Sequence, residues 1–250
     1  MGMFTLSKSA EVEEMFDARG FKEMAWCRRE MAGEQRVGYE HLLRQGGEPM
    51  LREASAYFAG KGRLQAALRR LTQRLNAEKI PYALLGGLAL AEHGYPRLTE
   101  DIDVLLTSSG LERFRQQLVG RGYRPAFSGA EKTFRDTETR VRIEIVTAGE
   151  YPGDGLPKPV AFPDPAVPGV TVEIEGIRVV ALEKLIELKL ASGMSAPHRL
   201  RDLADVQDLI VRLKLPLTLA DRLDPSVQVA YQDLWEKAQT DGPRGSQERC

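Results

Sequence analysis

The stretch from Tyr82 to Leu106 constrains this chain more than any other. An apolar run over Pro81–Leu85 reads as a buried strand and feeds the pair Gly86-Gly87. A short helix over Gly87–His93 and a loop broken by Pro96 follow; Asp101-Ile102-Asp103 then enters a second strand, Glu100–Leu106. Side chains alternate along a strand, so Asp101 and Asp103 share one face while Ile102 and Val104 face the core. Two carboxylates roughly 6–7 Å apart at their Cβ atoms repel by about 2–3 kcal/mol at an effective dielectric near 20. A hard divalent cation converts that cost into a binding site, because such ions take carboxylate oxygens. A solvated strand edge explains most Asp-x-Asp triplets, but one preceded by Gly-Gly, a helical turn or two and Arg97-x-Thr99 is far rarer.

A third carboxylate lies downstream. Arg140–Val146 alternates polar and apolar residues, setting Glu144 on the face opposite Ile143 and Ile145. If this strand neighbours Glu100–Leu106, Glu144 can join the two aspartates as a ligand or general base. The alternative is a surface glutamate paired with Arg142 or Arg140.

Helical periodicity adds an independent argument. On Ala181–Ser192 the apolar stripe is Leu182, Leu185, Ile186 and Leu190, and Lys189 falls inside it. On His198–Leu213 the stripe is Leu203, Val206, Leu209, Ile210 and Leu213; Arg199 and Asp202 fall within it, Asp205 on its edge, and Asp208 points away. Burying a lone charge costs several kcal/mol, so such residues pair with one another or face a polar cavity. A Lys189–Asp202 bridge and a Lys189 reaching a triphosphate are both open readings, and they are compatible.

Elsewhere, Leu64, Leu68, Leu71 and Leu75 mark an amphipathic helix over Arg63–Lys79, whose Arg69, Arg70 and Arg74 read as a solvated face in preference to an RNA-facing strip. Ser108 is placed to cap a helix running to about Arg121. Strands are expected at Thr133–Asp136 and Arg140–Val146 around a polar turn, and at Val170–Ile174 and Ile177–Val180 around Glu175-Gly176. The six prolines of Ala148–Gly169 predict a loop, a lid or an edge cover. Asp224 and Pro225 open a last helix to about Ala238. The expected domains are a helical N-terminal extension (1–62) with a glycine joint at Gly60-Lys61-Gly62, a core (63–180), a helical C-terminal region (181–240) and a disordered tail (241–250).

The composition excludes several classes. A net charge of −1 argues against a dominating nucleic-acid-binding field, though not against a local basic groove. The two cysteines, Cys27 and Cys250, lie far apart and argue against a disulfide framework, and no Cys/His spacing suggests zinc. No apolar run has the length of a membrane span and no export signal opens the sequence, so the expectation is a cytoplasmic protein without a membrane partner. His41, His93 and His198 have no Ser, Cys or second His at telling spacing and read as structural.

Gly86-Gly87, the segment Arg97-Leu98-Thr99-Glu100-Asp101-Ile102-Asp103 and Glu144 together resemble the DNA polymerase beta-type nucleotidyltransferase superfamily. Lys189 and Arg199-Leu200-Arg201-Asp202-Leu203-Ala204-Asp205 are similar to the AbiEii-type (abortive-infection, toxin) branch. The resemblance covers about Ile80 to Ile210. It implies an α/β (α+β) fold: a polymerase-beta-like mixed sheet with flanking helices, a helical C-terminal half and a helical N-terminal extension. It further implies that Asp101, Asp103 and Glu144 hold Mg²⁺ or Mn²⁺, with these three, Lys189 and Asp202 as the catalytic set. Gly86, Gly87, Arg97 and Thr99 would line the nucleotide site, and Lys189 would contact phosphate with support from Asp202 and Asp205. The superfamily often has Gly-Ser at the Gly86-Gly87 position, and its third acid is usually Asp where this chain has Glu144.

The expected activity is transfer of a nucleoside monophosphate from an NTP to an acceptor hydroxyl with release of pyrophosphate. The resemblance points to a toxin-like enzyme acting on RNA, such as a tRNA 3′ end, with an antitoxin partner. Two rivals stand beside it: the same chemistry on an antibiotic or protein hydroxyl, and a catalytically silent nucleotide- or partner-binding module.

Overall fold

The four leucines of the first stripe, Leu64, Leu68, Leu71 and Leu75, are all buried along helix α1 (Arg63–Ala77) of the computed structural model, which describes residues 62–240. The expected helix over Ala10–Ala32, the rest of the N-terminal extension with His41 and Cys27, and the polar tail with Cys250 lie outside the described residues.

The elements then run β1 (Tyr82–Leu84), α2 (Gly86–Glu92), β2 (Asp101–Leu106), α3 (Ser108–Leu118), β3 (Tyr123–Pro125), β4 (Thr133–Asp136) and β5 (Arg142–Thr147). After the proline-rich loop come β6 (Thr171–Ile174), β7 (Ile177–Val180), α4 (Leu182–Ser195), α5 (Leu200–Leu213) and α6 (Pro225–Thr240). Short 3₁₀ turns at Pro197–Arg199 and Leu217–Arg222 link the last three helices. The strands make one mixed seven-stranded sheet in the order β3-β4-β5-β2-β1-β7-β6, with β2–β5 and β1–β7 parallel and the other pairs antiparallel. This is the expected α/β architecture of a mixed sheet with flanking helices.

Period-two patterning divides the sheet into two unlike faces. Ile102, Val104, Ile143, Phe134 and Tyr123 are buried on one of them. There Phe114 of α3 packs its ring 5.4 Å from that of Tyr123 and 4.9 Å from that of Phe134, tilted geometries that suit aromatic quadrupoles. Asp136 shares this face and is fully buried. Its Oδ1 accepts bonds from the Glu138 and Thr139 amides, at 2.9 and 2.8 Å, and from the Thr139 hydroxyl at 3.0 Å, closing the polar turn between β4 and β5. Arg70 of α1 adds a fourth contact to that oxygen at 3.1 Å and reaches Glu138 at 2.9 Å. Arg70 thus anchors the helix to the sheet, which is why only part of the basic face of α1 is solvated.

Several local expectations shift. Thr107, not Ser108, caps α3: its extended backbone lets the hydroxyl accept from the Gly110 amide. β3 has no counterpart among the expected strands, because Tyr123-Arg124-Pro125 is too short to show an alternation and ends in proline. α5 begins at Leu200 instead of His198, behind a 3₁₀ turn started by Pro197. α4 is buried on nearly every side from Leu185 to Gly193, Glu187 included, because it packs against both α5 and α6. Glu187 is satisfied there by Lys184 Nζ at 2.8 Å and the Asp224 amide at 2.9 Å, and Asp224 in turn caps α6 through the Ser226 amide.

The loop between β5 and β6 is folded back on itself. Gly149 N–H donates to the Phe162 carbonyl and Phe162 N–H to the Glu150 carbonyl, each at 2.8 Å. Lys158 ties the intervening turn to the Pro152 carbonyl at 2.6 Å and to Asp154. A Cβ on Gly153 would lie 2.2 Å from Ser195 Oγ and 2.7 Å from the Ser192 carbonyl, so the loop rests directly on the end of α4.

Candidate active site

The parallel pairing of β2 with β5 sets Asp101 opposite Arg142 and Asp103 opposite Glu144. Paired residues project from the same face, so both aspartates and Glu144 emerge together on the side away from α1 and α3. One carboxylate oxygen from each lies within 4.8 Å of the other two, and among the described residues this is the one trio so placed. The condition attached to Glu144, that its strand lie beside β2, is therefore met geometrically. The alternative pairing is present as well: Arg142 Nη2 bonds Glu144 Oε1. The two readings coexist because a carboxylate has more than one lone-pair site.

Burial raises the Asp103 carboxyl to about 7, with the Asp101 and Glu144 charges adding to the rise and Lys189 and Arg199 opposing it. Three acids converging on one point with a proton retained near neutrality is the electrostatic signature of a site short of positive charge. Hard oxygen donors in this number and spacing suit a divalent cation. Thr99 completes the corner by donating its hydroxyl to Asp101 Oδ1 at 3.0 Å.

The glycine pair has a more specific task than admitting a ligand. Gly86 sits at φ +60°, and a Cβ there would fall 1.9 Å from Asp103 Oδ2. A Cβ on Gly87 would fall 2.8 Å from that of Thr99. The Leu85 amide donates to the Asp103 carbonyl at 3.0 Å, fixing the turn against the strand. The glycines are thus the floor on which Asp103 and Thr99 rest. We expect Gly86→Ala to cost about 1–2 kcal/mol through its left-handed backbone. It should weaken divalent-cation binding at least about tenfold by displacing the Asp103 carboxylate; equal affinity of mutant and wild type in a Mn²⁺ titration would refute this reading.

The helical side supplies the cations. Lys189 Nζ, on a residue only 6% exposed, donates to Asp202 Oδ1 at 2.9 Å and to Asp205 Oδ2 at 2.7 Å. Asp202 also accepts from Ser192 Oγ at 2.7 Å and faces Arg199 Nε at 3.6 Å. Burial pushes the Asp202 carboxyl up, but Lys189, Ser192 and Arg199 outweigh it and hold it below the ordinary range. Asp205 lies deeper than its place on the stripe's edge implies, at 2% exposure, because Arg97 Nε approaches it at 3.6 Å from the other side. A wheel counts only apolar residues as inward, whereas a carboxylate between two cations is drawn inward too. Gly193 makes the helices close enough for this: a Cβ on it would lie 2.5 Å from Leu203 Cγ.

Arg97 and Thr99 bring their loop to both halves of the site, and the loop is further tied to α5. Tyr95 donates its hydroxyl to Asp208, Arg212 lies over the Tyr95 ring at 5.2 Å, and burial followed by the Asp208 bond lifts the Tyr95 phenol to about 12. Ser192 and Tyr95 carry no sequence signal, since a lone Ser or Tyr at these positions is ordinary. His93 has a structural contact, its Nε2 lying 2.8 Å from the Val180 carbonyl, and His198 is exposed.

Residues 48–224 match the family described as uncharacterised nucleotidyltransferase. No curated protein matches the chain. Among solved structures, JHP933 from Helicobacter pylori is 20% identical over 69% of this chain and 87% of that one, with a TM-score of 0.38. An antigenic nucleotidyltransferase-like protein from Paracoccidioides brasiliensis is 17% identical over 70% and 88%, with a TM-score of 0.41. ANT(2″)-Ia in complex with adenylyl-2″-tobramycin is 13% identical over 70% and 92%, with a TM-score of 0.36.

Proposed function

Since the chain belongs to the uncharacterised nucleotidyltransferase family, we propose that it moves a nucleoside monophosphate from an NTP to an acceptor hydroxyl, releasing pyrophosphate, at the site formed by Asp101, Asp103 and Glu144. The convergence of those three carboxylates within 4.8 Å on the open face of the sheet carries this reading. Mg²⁺ held by them would supply the positive charge that offsets developing charge on the transferred phosphoryl group.

The chain's own residues do the rest. Gly86 and Gly87 set the height of Asp103 and Thr99. Glu144, paired with Arg142, would serve as a shared metal ligand or as the base that takes the acceptor's proton. Lys189 carries charge toward the leaving phosphates, and its two aspartates fix its ammonium. Arg97 and Thr99 line the nucleotide side.

We infer further that the biological setting is that of a toxin-like enzyme of the AbiEii type with an RNA acceptor, such as a tRNA 3′ end, and an antitoxin partner. The similarity of the Lys189 and Arg199–Asp205 segments to that branch supports this. Incubating the protein with each α-labelled NTP, Mg²⁺ and separate RNA, protein and drug pools tests both levels. Label should appear in RNA; label only in the drug or protein pool overturns the acceptor. Label in none of them, from folded protein, overturns the transferase reading.

A further inference from the structure

The acid-bearing face of the sheet continues beyond Glu144. Register places Arg142 opposite Asp101, Arg135 opposite Arg142, and Arg124 opposite Arg135. Directly opposed residues share a face, so these four side chains form one row, a single residue on each of β2, β5, β4 and β3. Arg124 and Arg142 are exposed and Arg135 is half-buried. At about 4.8 Å between strands the row spans on the order of 14 Å, from the carboxylate trio to the edge strand β3.

The row sets like charges side by side on neighbouring strands. Like charges directly opposite on neighbouring strands are destabilising, and two such pairs stand in succession here. Arg142 leans along β5 to Glu144, and Arg135 leans the other way to donate to the Arg140 carbonyl at 3.2 Å, so these two guanidinium groups are fixed on the acid-bearing face. The arginine fork matches phosphate oxygens better than any other side chain does.

We propose that Arg142, Arg135 and Arg124 form a phosphate track for a single-stranded polynucleotide acceptor, whose reacting hydroxyl lies at the Asp101 end. This rests on the nucleotidyltransferase reading above. The length of the row selects the acceptor class. A drug-sized molecule at the trio reaches Arg142 but not Arg124, whereas an extended polyanion meets all three arginines. The basic strip of α1 is not the acceptor surface: α1 packs on the opposite face of the sheet, and Arg70 is engaged by Asp136 and Glu138.

The test is fluorescence anisotropy of the full chain with a labelled 20-nucleotide single-stranded RNA and the DNA of the same sequence, titrated between 50 and 200 mM salt. We expect Arg124→Glu and Arg135→Glu each to weaken binding at least about tenfold and to reduce the log–log salt slope by about 0.7 for each phosphate no longer neutralised. Arg69→Glu, an exposed change on α1, should alter neither. Preference between the RNA and DNA arms identifies which polynucleotide is taken. In the transfer assay the same variants should raise KM for the polynucleotide and leave kcat and KM for the NTP unchanged, with Arg124→Lys retaining most of the wild-type affinity. Wild-type affinity and slope in the Arg124→Glu Arg135→Glu double variant, with an unchanged melting temperature, overturn the track. So does wild-type protein that binds neither oligonucleotide at 50 mM salt. Label transfer to a drug or protein alone overturns the track and keeps the transferase. Arginine-dependent polynucleotide binding without label transfer to any pool keeps the track and overturns the transferase.

Discussion

Asp101→Asn and Asp103→Asn are each expected to reduce Mg²⁺-dependent nucleotidyl transfer by about a thousandfold or more, while Asp103→Asn makes the metal-free protein more stable. The two effects have one cause. Three carboxylates within 4.8 Å of one another repel when no cation is present, and burial deepens the penalty on Asp103. Its carboxyl is raised to about 7 in the folded chain from an ordinary 3.8, so the folded state binds more protons than the unfolded state between those two values. The stability associated with the protonated group is therefore full below about pH 4 and is lost as the pH rises through 7. Urea denaturation in EDTA at pH 5 and pH 8 should show this loss in the wild type and a smaller one in Asp103→Asn. At pH 8 the variant should gain about 1–3 kcal/mol. Added Mg²⁺ should stabilise the wild type more at pH 8 than at pH 5 and the variant little at either. A variant less stable than wild type at pH 8 in EDTA contradicts the account.

The second large effect is on folding. Lys189→Met removes the cation that two aspartates share, one of them 2% exposed, and should destabilise the protein by about 3–5 kcal/mol because Asp205 then stays buried with Arg97 as its remaining cation. Asp205→Asn should cost less, since Lys189 keeps Asp202 at 2.9 Å. The triple change Lys189→Met Asp202→Leu Asp205→Leu should recover much of that stability and none of the activity, the behaviour of a buried ionic cluster replaced by apolar volume. Thermal unfolding of the three variants beside a transfer assay separates the outcomes. A fully stable Lys189→Met protein shows that the ammonium is not required by the fold.

Much of this site is readable in one dimension because its parts are local. Gly86-Gly87, the Asp101/Asp103 pair and the facing of Glu144 follow from strand alternation over a few residues, and Lys189 and Asp202 announce themselves as charges on apolar stripes. What escapes such reading depends on residues distant in sequence. That Gly86 exists to clear Asp103 is visible only when β2 returns beside β1. Asp205 looks peripheral until Arg97 arrives from another loop. Thr107 displaces Ser108 as a cap by one residue because backbone angles, not residue type, choose between two adequate hydroxyls. The arginine row is the extreme case, since Arg124, Arg135 and Arg142 align only through the register of three strands, the first of them too short to be expected.

The parallel pairing of β2 with β5 carries a temporal consequence. A parallel neighbour cannot be reached by a tight turn, so α3, β3 and β4 must be threaded before Asp103 meets Glu144, and Lys189 follows only after the folded-back loop and a hairpin. On a ribosome adding about 5–20 residues per second, roughly a hundred residues separate the emergence of Asp103 from that of Asp205, a delay on the order of 5–20 seconds. Through most of that interval the nascent chain holds an acid pair without Lys189 and Arg199, the cations that oppose its charge, and these arrive only with α4 and the turn that leads into α5.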